Sequence, residues 1–269
     1  MKTSFSELDA ILRGDATQLS SLQRGEIPVS ARRMVGMVVV LGLLFGLCMG
    51  SFALIRHFAG NDGASAHPTS EAWSQLFGSA LKIPLLFLLT LAVTLPSLYV
   101  FNAIAGSRLR PRAVIRLLTA MLAVMLAVIA SLGPIVAFFA VSTTSYPFMK
   151  LLNVGVCAVG GVLGLAFLLR TMHRIVLVQN TSDTLQADAQ TDSDSENQVA
   201  ALDAMGPTER RARSIFTIWL FVFSLVGAQM AWVLRPFIGD PNLPFQWLRN
   251  RESNFFVDVF AAIYQLLGG

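Results

Sequence analysis

The sequence predicts an all-α polytopic membrane bundle of about five spans, and three observations carry that reading. The first is Met34 to Ile55, a run of 22 residues with no charge, no proline and no long polar side chain, closed by Arg32 and Arg33 on one side and Arg56 on the other. At about 1.5 Å per residue such a run covers roughly 30 Å, the thickness of a bilayer's hydrocarbon core. The second is composition: mean hydropathy is +0.62 and only 13% of residues are charged, against about 25% in soluble domains. The third is that the basic residues cluster beside the apolar runs. The net charge of +4 and the pI near 9.5 therefore read as topology signals and headgroup contacts, with no nucleic-acid partner implied.

Residues 1–33 form a segment of soluble character. Phe5, Leu8, Ile11 and Leu12 recur at helical spacing, so SFSELDAILRG predicts a short amphipathic helix lying on the membrane or docking under the bundle. A charged and polar segment of more than thirty residues precedes the first apolar run, so a cleaved signal peptide is not expected. Residues 34–177 hold four spans. In the first, Gly42, Gly46 and Gly50 repeat every four residues and share one face, which lets two backbones approach closely in lipid. An intramolecular packing groove is the preferred use of that face; a homodimer interface is the alternative. The loop of residues 56–78 carries His57 and His67 without partners at metal-ligand spacing, and a turn around Asn61, Asp62 and Gly63.

The second span runs from Ala80 to Ile104. Lys82 stands near its start, where it can snorkel to the headgroups, and Pro96 lies mid-span, where it should kink or break the helix. Leu117 to Val141 is too long for one perpendicular crossing and too short for two; with Gly133 and Pro134 inside, it predicts one kinked helix. The fourth span, Leu151 to Leu169, carries Gly155, Gly160, Gly161 and Gly164, a second small-residue face suited to packing on the first span. Residues 178–209 form an acidic, low-complexity linker with the composition of a disordered cytoplasmic spacer. Residues 210–269 hold a fifth span, Ile215 to Leu234, with Trp219 and Trp232 placed for the interfacial aromatic belts. A proline-rich tail follows. It ends in a 14-residue apolar segment, Asn254 to Leu267, which is too short to cross and so is interfacial or re-entrant.

Five spans put residues 1–33, 105–116 and 170–214 on one side. Fourteen of the 20 Lys and Arg residues then fall nearer that side and six nearer the other. The positive-inside rule places the N-terminus in the cytoplasm and the C-terminus outside. An inner (plasma) membrane of a bacterial cell is the expected location.

Nucleophile elbows, zinc spacings, phosphate-cradling loops and dinucleotide fingerprints do not occur in the sequence. No catalytic residue, metal ligand or cofactor-binding residue is expected, and Cys48 and Cys157, both inside apolar runs, read as packing residues. No Asp or Glu falls inside a span, which counts against ion-coupled transport, where acidic side chains usually sit near the midplane. The polar residues at membrane depth are Thr90, Thr94, Asn102, Ser131, Asn153 and Gln229. Interhelical hydrogen bonding is their simplest role. The sharper one is a polar pathway through Asn102, Asn153 and Gln229 that meets helix breaks at Pro96 and Pro134.

The phrase KIPLLFLLTLAVTLPSLYVFNAIAGSRLR (residues 82–110), set in a layout of five helices with a cytoplasmic N-terminus, resembles the Yip family of multispan membrane proteins. The likeness extends loosely over residues 34–234, and the acidic linker and proline-rich tail depart from it. It implies membrane organisation and trafficking through partner binding, with no catalytic residues to carry over. The expected function is thus that of a non-catalytic scaffold or accessory subunit, with lipid and a protein partner or second copy around it. A channel or transporter component using the proline-broken helices is the alternative.

Overall fold

The computed structural model describes residues 6, 8, 9, 11, 30–58, 69–104, 111–143, 145–188, 207–234 and 255–267. Every element among them is helical: α1 (Ala31–Phe58), α2 (Thr69–Ile104), α3 (Pro111–Ser131), α4 (Gly133–Ser142), α5 (Tyr146–Asp188), α6 (Pro207–Leu234) and α7 (Phe255–Leu266). Five stretches are long and apolar enough to cross a membrane: Ala31–Phe52, Trp73–Ser97, Val114–Ser142, Tyr146–Thr171 and Thr217–Leu234. The helices are apolar on their outer faces too, with Leu44, Val93, Phe138, Val162 and Phe221 all exposed. In water that surface would aggregate; in lipid it is the solvent-matched face.

Packing follows the order of the chain in part. α1 is the hub: it lies on α2 along the most extensive interface, and also on α3 and α4. α5 packs against α3, and α6 against α2. α1 and α2 run antiparallel in a fixed register, with Gly42 against Pro84, Gly46 against Ala80 and Gly50 against Leu76. Leu8 and Ile11 of the N-terminal segment are helical and buried in the same apolar core as Met34, Phe45 and Trp219. That segment is docked on the bundle at these two positions; Phe5 and Leu12 lie outside the described residues.

Several boundaries differ from the sequence reading. α2 begins at Thr69, so the second span starts inside the stretch assigned to the first loop. The text from Ser70 to Ala80 has no proline, and docking on the apolar face of α1 holds it helical. The helix continues unbroken through Pro84 and Pro96. Pro84 fits the notch left by Gly42, and hydroxyl and indole donors gather around Pro96, as described below. The break in the third run is real but lies one residue before Gly133, with Pro134 in the first turn of α4. Pro134 has no N–H to donate, and its ring displaces the carbonyl one turn back. Leu132, at φ −83° and ψ −8°, reaches the Val128 and Ile129 carbonyls, and Ile135 and Val136 reach back to Leu132. The ladder resumes at once, so α3 and α4 form one span, as the length of the run predicts.

α5 also overruns its expected end. It stays helical to Asp188, 17 residues beyond the apolar stretch that closes at Thr171, or about 26 Å at 1.5 Å per residue. Residues 178–188 of the linker are therefore helix, contrary to the disordered reading. The reason is the absence of a stop signal: no glycine or proline occurs between Gly164 and Gly206. Residues 189–206 lie outside the described residues, as do the turn at Asn61 to Gly63 and His67.

Candidate functional site

Among the described residues of the apolar spans, polar side chains gather most closely along one face of α2. Lys82, Leu86, Thr90 and Thr94 succeed one another at four-residue intervals and Ser97 follows at three, so all five share a stripe. A hydroxyl in lipid must find an acceptor, and the nearest is the carbonyl one turn back. Thr90 Oγ1 donates to the Leu86 carbonyl at 2.7 Å, and Thr94 Oγ1 to that of Thr90 at 2.8 Å. Ser97 Oγ donates to the Thr94 carbonyl at 2.7 Å. Trp219 of α6, wholly buried, joins this node: its indole Nε1 donates to Ser97 Oγ at 3.1 Å and to the Thr94 carbonyl at 3.3 Å. Further along the same contact, Gly227 faces the Thr90 methyl.

Trp219 thus stands at the end of its span, where an aromatic belt residue would be, but turned inward on α2. The sequence signal for this was available in the pairing of a tryptophan donor with the Thr/Ser-rich turn around Pro96. What it lacked was the direction of the side chain.

Lys82 departs more sharply from the position its sequence context predicts. It is only 6% exposed and is partnered within the bundle. By the α1–α2 register it lies level with Leu44, at the middle of the run from Met34 to Ile55 and about 15 Å from either end. It does not snorkel. An ionisable side chain held at that depth is a costly and uncommon placement in a membrane chain.

Asn153 of α5 is fully buried, and its Nδ2 donates to the Met149 carbonyl at 2.8 Å. Its Oδ1 accepts no hydrogen bond, a buried acceptor left unsatisfied at a cost of about 1–3 kcal/mol. Gln229 is half-buried on α6, and the side chain of Asn102 lies outside the described residues. No hydrogen bond among the described residues joins Asn153 to Gln229, so this part of the expected pathway is not brought together. Ser131 is exposed and bonded to the Val128 carbonyl at 2.7 Å.

The two glycine faces are placed differently from each other. A Cβ on Gly46 would stand 2.5 Å from the Ala80 Cα and 2.8 Å from the Ser79 carbonyl oxygen, and one on Gly50 3.0 Å from the Leu76 Cα. The partner of the first span is therefore α2. Gly160 and Gly164 do not face α1: their neighbours are Ile129 and Met125 of α3. The sequence reading paired the two glycine-bearing helices because both are small-faced, but one small face needs no second one opposite it. A Cβ on Gly155 would meet nothing within 4 Å beyond its own helix backbone, and one on Gly161 would meet only the Met125 methyl at 3.7 Å. Cys48 and Cys157 are free thiols. Among the described residues, no group of three His, Cys, Asp or Glu side chains is placed to hold a metal ion.

An all-helical chain with five apolar spans, packed through glycine notches, is an integral multi-pass membrane protein. Compared with protein-family models, curated proteins and solved structures, it matches none.

Proposed function

We propose that this chain is a non-catalytic scaffold or accessory subunit of a membrane complex or membrane-organisation machinery, resident in a cell inner (plasma) membrane with its N-terminus in the cytoplasm. One observation carries the reading: the most extensive interface of the bundle is closed by backbone contact, and its neighbouring hydroxyls are occupied. α1 and α2 meet backbone to backbone at Gly46, and the hydroxyls of Thr90, Thr94 and Ser97 bond carbonyls of their own helix. Helices packed in this way leave their outer surfaces and extensions for partners. The best placed of these is the helical extension of α5 to Asp188, leading into the acidic residues 189–206. The arginine bias supports placing this extension in the cytoplasm with the N-terminal segment. The resemblance to the Yip family, whose members work through partner binding, favours the same role.

The test is crosslinking mass spectrometry on native membranes, comparing the full chain with one lacking residues 178–207. A protein partner crosslinked to the full chain and lost with the deletion is the expected result. An unchanged crosslink pattern contradicts a recruiting role for the linker.

A second reading, a channel or transporter component, is favoured by Lys82 at mid-span depth and by the unsatisfied Asn153 Oδ1. Solute flux in proteoliposomes that is abolished by Asn102→Ala or Pro96→Ala would establish it in place of the first.

A further inference from the structure

α7 is a helix of 12 residues, about 18 Å long, less than two thirds of a bilayer's hydrocarbon thickness. Its one charged residue, Asp258, pairs with Lys150 near the start of α5, and both side chains are largely covered. The Lys150 ammonium lies 5.8 Å from the centre of the Tyr146 ring, one turn back on the same helix. Ala262, one turn after Asp258, is buried. α7 is thus fastened by one face, chiefly to α5 and also to α6.

The opposite face is apolar and open. At 100° per residue, Phe256, Phe260, Ile263, Tyr264 and Leu267 fall within an arc of about 100° centred roughly opposite Asp258. Phe260 is 70% exposed, Tyr264 68% and Leu267 82%. α5, the helix it is latched to, turns apolar side chains outward as well, with Val159, Val162 and Leu163 exposed. The sole acid of α7 faces the protein, and the outward arc holds nothing that water would solvate except the Tyr264 hydroxyl.

We infer that α7 is a membrane-embedded belt helix. It lies side-on in the leaflet reached by the first turns of α5, is held to the bundle by the Asp258–Lys150 pair, and its Phe256–Phe260–Tyr264 face contacts lipid acyl chains. The occupant of that face is lipid, because the arc continues the polarity of the α5 exterior and offers no charge or hydrogen-bonding row to a protein partner.

The test uses the unaltered chain in phosphatidylcholine vesicles doped with a phosphatidylcholine bearing a photoactivatable diazirine on its acyl chain, with adducts mapped by mass spectrometry. Adducts on Phe256, Phe260 or Tyr264, with none on Asp258 or Ala262, are expected at a level within a few-fold of those on Val162. An adduct-free 255–267 peptide beside a labelled Val162 overturns the inference. So does a disulfide between two copies of a Phe260→Cys chain that forms at protein-to-lipid ratios where the diazirine leaves Phe260 unmodified, which would assign the face to a second copy. Asp258→Asn gives the second arm. Freed from Lys150, α7 should expose its inner face, and adducts should appear on Ala262; an unchanged pattern contradicts the latch.

Discussion

The two glycine-lined interfaces look alike in sequence and differ in kind. At α1–α2, the atoms that bar a Cβ at Gly46 are all main-chain atoms of the opposite helix, Ala80 Cα and O and Ser79 O, and at Gly50 they are chiefly so, with Leu76 Cα and O beside Cδ1. At α3–α5, they are mostly side-chain atoms: Ile129 Cγ1 and Cδ1 would bar a Cβ on Gly160, and Met125 Cβ would stand 2.9 Å from one on Gly164. The first is two backbones in contact, which only translation of a whole helix can relieve. The second is a knob entering a notch, and the knob can be cut. A small residue every four positions announces a close approach but not which of these it is.

Substitutions separate the two. The largest effect is expected at Gly46→Ala, where a methyl would force α1 and α2 apart; overpacking costs about 1–3 kcal/mol, and a main-chain obstacle puts this site at the upper end. Unfolding in mixed micelles, or steric trapping in bilayers, measures it. No side-chain truncation at position 80 should restore stability, because the obstacle is a Cα. Gly160→Ala should cost about 2 kcal/mol, and combining it with Ile129→Ala should recover part of the loss. The double-mutant cycle should give a coupling above about 0.5 kcal/mol, and strict additivity would contradict the knob-in-notch assignment. At the third interface, α2–α6, Trp219→Phe removes the indole donor to Ser97 and Thr94 while keeping an aromatic ring. A loss of about 1 kcal/mol is expected, since hydrogen bonds between membrane helices average about 0.6 kcal/mol. Asn153→Leu should be nearly neutral or stabilising, because it removes an acceptor that has no donor. Smallest of all, Gly155→Ala should shift stability by no more than about 0.5 kcal/mol, with nothing within 4 Å to resist the methyl.

What the sequence made legible was set by lipid. Five apolar runs and the kinked third crossing followed from length and from Pro134, because a bilayer admits few backbone solutions. Partner choice between helices was less legible. Lipid gives apolar faces no preference for one another, so Gly160 meeting Ile129 in place of the first span is decided by shape alone. Side-chain direction was hidden for the same reason: Trp219 and Lys82 each suit a headgroup layer by type, and each turns inward where the bundle offers it a partner. The Lys150–Asp258 latch was out of reach, since its two halves lie more than a hundred residues apart. The overrun of α5 to Asp188 is legible in the missing glycine and proline, since acidity alone does not stop a helix.

A scaffold role requires a bundle whose interior is closed to water. Its most direct test is thiol accessibility at Thr90→Cys and Asn153→Cys, in a chain with Cys48 and Cys157 replaced by alanine, reconstituted in lipid and exposed to a charged methanethiosulfonate. Both positions should stay unmodified until the bundle is unfolded in detergent. Modification of either within seconds in the intact bilayer would show an aqueous path through the helices, and the sealed scaffold would give way to the channel reading.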